Sequence, residues 1–154
     1  MQFINYFFAS LLSFSGLLIG LSLVKIAPEE QKPLEKYFVL LRKILLLLIF
    51  VFVVFYYSND NFNLMILIAY FLFLSFIQYK IKDLLKQSIV IYAILGILFF
   101  LSSKNTNLFV IESSLILLYG LPTVSLMYSA KGKNHRGILY NIVFIIIANL
   151  LFFL

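Results

Sequence analysis

Six apolar runs of about 15 to 23 residues follow one another along the chain with only short polar clusters between them, and about 20 helical residues cross the hydrocarbon of a bilayer. A soluble core does not require such runs in series. Of the 154 residues, 64% are hydrophobic and 12% charged, too few polar groups to cover a water-soluble domain of this size. Lipid is the expected solvent. Within hydrocarbon the backbone must satisfy its own hydrogen bonds, in helices or in a closed barrel, and a barrel needs polarity that alternates over strands of about 10 residues. The stretch RKILLLLIFVFVVFYY, Arg42 to Tyr57, shows no alternation. The expected fold class is all-α, a polytopic integral membrane bundle.

A single transmembrane domain with spans at 3–24, 38–57, 62–79, 86–103, 108–129 and 138–154 accounts for the pattern. The opening MQFIN has no basic lead, and the apolar stretch behind it runs to Val24 without an Ala-x-Ala site, so it reads as a permanent span. Six crossings leave both termini on one side. Basic residues at span ends resist translocation and set which side that is. The first connection and its flanks hold Lys25, Lys32, Lys36, Arg42 and Lys43, the third Lys80, Lys82 and Lys86, and the fifth Lys131, Lys133 and Arg136. Only Lys104 falls opposite. Both termini are therefore expected outside and the basic connections in the cytoplasm, in a cell membrane. The +6 net charge follows from this asymmetry and, spread over three loops, forms no compact surface for nucleic acid. Tyr6, Tyr56 and Tyr57 fall near the outer span ends, and Tyr37, Tyr79, Tyr128 and Tyr140 near the inner ones, where amphipathic rings suit the headgroup level. Tyr70, Tyr92 and Tyr119 lie deeper.

In the first connection Pro28 and Pro33 each suit a first helical turn, with Glu29, Glu30 and Glu35 placed to favour its positive end. Leu34, Tyr37, Phe38 and Leu41 share one face, so residues 28–43 read as an amphipathic elbow that bends into the second span. As a docking surface it would suit a cytosolic partner or anionic headgroups; an ordinary membrane-surface elbow is the preferred reading.

Ala9, Ser13, Gly16 and Gly20 recur at steps of four, three and four on one stripe of the first span. Small residues let another helix approach closely, the main attraction available between helices in lipid, so this is a helix-packing face, toward another span of the chain or a second copy. Ser88, Tyr92, Gly96 and Ser103 mark a similar stripe in the fourth span, whereas the second is apolar all round and suits lipid. Asn141 and Asn149 of the sixth are placed for interhelical hydrogen bonds.

Glu112 is the one carboxylate inside a span, about 6 Å past the start of the fifth. With Tyr119 and Thr123 it shares a stripe, and Gly120 and Pro122 predict a kink because proline removes the donor to the Leu118 carbonyl. An acid facing a cavity would bind a cation or carry a proton. An acid near a helix start also complements the dipole and reaches the interface or Lys104.

Catalytic chemistry finds few residues. Cysteine is absent, the single histidine, His135, sits in the basic loop KGKNHRG without a carboxylate, and neither an acidic pair within a span nor a phosphate-cradling glycine loop occurs. No catalytic, cofactor or metal site is expected, and no enzyme. The halves show no internal repeat, since the second span lacks the Gly and Pro of the fifth. The expectation is a non-enzymatic multi-pass membrane protein, a small subunit or scaffold of a membrane assembly whose partners are the bilayer and another membrane protein or a second copy. The alternative is a small ion or solute transporter using Glu112, Tyr119 and Thr123.

Overall fold

The computed structural model describes residues 2–57 and 83–128, the backbone of 129–131, residues 139–154, and 65, 68, 69, 72–74, 76, 77, 80 and 81 between. The expected third span, 62–79, thus lies largely outside the described residues, as do the 58–61 connection, Tyr70, Tyr79, Lys82, and the 132–138 loop with Lys133, His135 and Arg136.

All regular structure among the described residues is helical. Helix α1 spans Phe3–Ile26, α2 Gln31–Tyr57, α3 Leu84–Ser102, α4 Thr106–Lys131 and α5 Val143–Phe152, with single 3-10 turns at Pro28–Glu30 and Tyr140–Ile142. The first four are long and apolar enough to cross a membrane, while the helix at Tyr140–Phe152 is apolar but shorter. Large apolar side chains such as Leu12, Leu23, Leu47 and Phe55 stand exposed along them. These are the features of a membrane-embedded protein.

Helix ends follow local chemistry. Ala27 and Pro28 stop α1, as Pro28 cannot donate to its last turn. Asp83 caps α3 by accepting from the Leu85 amide at 3.0 Å. Asn105 does the same for α4, its Oδ1 taking the Asn107 and Leu108 amides at 3.0 and 3.2 Å. Between α3 and α4 only the turn 103–105 intervenes. Tight turns join antiparallel neighbours.

The expected elbow, 28–43, and the second span belong to one helix. Past the 3-10 turn, α2 runs unbroken from Gln31 to Tyr57 with Pro33 in its first turn, where the missing donor costs no intrahelical bond. Leu34, Tyr37 and Leu41 remain exposed along its outer face. Helix α2 is the least buried of the four long helices and α4 the most, as α4 packs against α1, α2 and α3.

Backbone contact between α1 and α4 fixes the centre. A Cβ at Gly16 would overlap the Leu117 carbonyl, one at Gly20 would meet the Cα and carbonyl oxygen of Leu121 at 3.1 Å, and one at Gly120 would stand 2.6 Å from the Leu17 nitrogen. At Gly16 and Gly120 only glycine permits this approach. Ser13 donates to the Ser113 carbonyl at 3.1 Å in the same seam, and Ala9 is half-buried at its edge. A second seam joins α3 to α5, where Gly96 faces the Phe144 carbonyl and Ser88 donates to Asn141 Oδ1 at 3.0 Å. Asn149 donates to Ser10 of α1 at 3.1 Å.

One end of the bundle closes on aromatic rings. Tyr6 packs on Phe99, Phe109 and Phe152 with centroids 5.1, 5.9 and 4.7 Å away, and its hydroxyl donates to the Ala148 carbonyl at 2.8 Å. It is fully buried, a core residue and not the interfacial anchor expected from its place near a span end. A carbonyl in reach supplies what the headgroup level would have. Beside it the Phe3 ring lies 5.4 Å from Phe152 and 4.7 Å from Phe153, so the first and last turns of the chain meet.

Candidate functional site

Helix α4 carries the expected polar stripe into the middle of the bundle. Glu112, Tyr119 and Thr123 all have zero exposure, and Gly120 and Pro122 are buried with them. Helical geometry continues through Pro122 without a break in α4. The Thr123 hydroxyl donates back to the Tyr119 carbonyl at 2.8 Å, within its own helix. This is the common resting place of a hydroxyl in hydrocarbon. Ser10, Ser113, Ser114 and Ser125 are satisfied in the same way, on Phe7, Phe109, Val110 and Leu121.

Glu112 behaves differently. Neither carboxylate oxygen has a hydrogen-bond partner among the described residues. It neither reaches the surface of the bundle nor pairs with Lys104, whose residue is exposed. The dipole of α4 still favours an acid near its start, but burial withholds the solvent that an interfacial carboxylate would use.

Tyr119 is the point where three helices converge. Arg42 of α2 donates from Nε to the Tyr119 hydroxyl oxygen at 2.9 Å, and its guanidinium carbon lies 5.8 Å from the ring centroid. From α3, the Tyr92 ring stands 5.8 Å from that of Tyr119. Arg42 is only 7% exposed and Tyr92 not at all, and both the Arg42 Nη2 and the Tyr92 hydroxyl lack a protein partner among the described residues.

Sequence reasoning placed Arg42 among the flanking cations of a cytoplasmic loop. The structure puts it inside the bundle because it shares the inward face of α2 with Leu46, Ile49 and Val53, at steps of four, three and four. That register was the available signal. The depth of Tyr92 was legible, but its proximity to Tyr119 depends on how α3 and α4 pair. The helix-packing residues meet their counterparts within the chain: Ser13, Gly16 and Gly20 on α4, and Asn141 and Asn149 on α3 and α1 respectively.

Among the described residues the arrangement therefore combines an unpartnered carboxyl group with an incompletely bonded guanidinium, the latter held on Tyr119 seven residues further along α4. Among the described residues no three His, Cys, Asp or Glu side chains gather as metal ligands would. No protein-family model, curated protein or solved structure matches the chain.

Proposed function

We propose that the protein is a six-span membrane carrier of a small ion or solute, with Glu112 as the group that takes up and releases a proton or monovalent cation. The carrying observation is the complete burial of Glu112 with both oxygens unpartnered among the described residues. A structural carboxylate in a membrane helix is partnered or snorkels outward, and intramembrane acids that do neither mark ion pathways. A lone carboxylate suits a proton or a monovalent ion, because divalent cations need several oxygen ligands.

Two observations favour this over a scaffold or subunit. The small-residue stripe that would have received a partner is filled by Leu117 and Leu121 of the same chain. The apolar exposed surface is what lipid alone requires. Even parity of crossings is supported by the meeting of Phe3 with Phe152 and Phe153, and an outside location of both ends by the distribution of lysine. The non-enzymatic reading stands on the shortage of nucleophile and base.

Proteoliposomes containing a pH-sensitive dye, driven by a potassium diffusion potential, test the proposal. Wild type should acidify or alkalinise the lumen according to the sign of the potential, and Glu112→Gln at equal abundance should not. Equal proton movement in the two would remove Glu112 from the mechanism.

A further inference from the structure

Arg42 is a buried cation whose guanidinium is incompletely bonded among the described residues. Its Nε is engaged by Tyr119, while Nη2 is buried without an acceptor among the described residues. A guanidinium has no other means of satisfying its protons than acceptors, and away from water these must be supplied by protein or ligand. Glu112 lies seven residues from Tyr119 on α4, about 10 Å along the axis, and neither of its oxygens is bonded to Arg42. Among the described residues no carboxylate contacts the guanidinium.

The groups around it are donors as well. Tyr119 accepts from Nε, which leaves its own hydroxyl proton to give elsewhere. Tyr92, fully buried, has a hydroxyl without a partner among the described residues, and its ring lies 5.8 Å from that of Tyr119. Arg42 of α2 and Tyr92 of α3 thus flank Tyr119 of α4, with the guanidinium carbon also 5.8 Å from the Tyr119 ring. Tyr119 stands near the midpoint of α4, Thr106–Lys131, so the place is deep in the bundle. Fixed donors around a planar cation are complementary to oxygen atoms that share a negative charge.

We propose that Arg42, Tyr92 and Tyr119 form a binding site for a small oxyanion, a carboxylate or phosphate group. The site stands independently of the role given to Glu112, because it requires binding and not transport. Arg42 fixes the charge, and Tyr92 sets the second contact.

The test is thermal unfolding of the purified full chain in a neutral maltoside detergent, at ionic strength held constant with chloride. Inorganic phosphate and acetate are titrated separately, and phosphatidic acid is added in mixed micelles as a third arm. A ligand that binds only the folded state raises the unfolding temperature in a saturable way. We expect that rise with phosphate or acetate, an apparent Kd weakened about tenfold in Tyr92→Phe, and no response in Arg42→Lys, which keeps the charge and loses the planar fork. Tyr92→Phe removes a hydroxyl that has no partner among the described residues, so it is expected to fold and keeps the test decisive even where Arg42→Lys does not. A response to phosphatidic acid alone, lost in Tyr92→Phe, would assign the oxyanion to a lipid headgroup at the same site. No saturable response in any arm, or one that Tyr92→Phe retains undiminished, overturns the proposal.

Discussion

Two faces of α4 obey opposite rules. Toward α1 the helix offers Ser113, Leu117, Gly120 and Leu121, whose contacts are backbone against backbone and whose polar groups are satisfied. On the neighbouring stripe it carries Glu112 and Tyr119, large polar side chains that are buried and incompletely bonded. Shape holds the first face and leaves it no chemistry. The second contributes chemistry that packing does not demand, and the bundle can bear it because the first face already fixes where α4 sits.

Substitutions on each face should separate these roles. The largest effect is expected at Gly16→Leu, which would drive a side chain into the Leu117 backbone. Overpacking against atoms that cannot rotate away should cost about 3 kcal/mol or more and abolish recoverable protein by size exclusion in detergent. A normally folded variant would mean that the seam is not the fixed element. Next comes Glu112→Leu, which should raise the unfolding temperature, by the equivalent of about 1 kcal/mol or more, while eliminating flux. A fall in stability would show that the carboxyl group is structural after all. Gly20→Ala should cost about 1 kcal/mol, since its neighbours lie at 3.1 Å and need to yield only slightly. Ser13→Ala is the smallest, about 0.6 kcal/mol for one interhelical hydrogen bond, with flux unchanged.

The glycine face was legible in the sequence because the spacing of Gly16 and Gly20 is itself the physical cause of the close approach. The membrane-embedded helices were legible for the same reason, since length and apolarity are what the bilayer reads. Arg42 was not, because a cation near a span end has two outcomes, at the interface or inside, and only the register of its helix face separates them. Tyr6 misled for a related reason: its ring suits a headgroup region, but the Ala148 carbonyl offered an acceptor in the core. In the elbow Pro33 falls in the first turn of α2, where it leaves the helix unbroken to Tyr57, so the amphipathic stretch and the span are one element. Tertiary pairing, absent from any single segment, brought Tyr92 to Tyr119.

The ring contacts of Phe3 with Phe152 and Phe153 mean that the order in which the helices are read along the chain is separable from their arrangement in space. A short linker from Leu154 to Met1, with new ends opened at the exposed turn of Lys104 and Asn105, would give a circular permutant that begins with α4. In that chain the most buried helix would enter the membrane first, ahead of the α1 partner it packs against. Whether such a protein still matures would tell how far the bundle depends on insertion order and how far on the final fit.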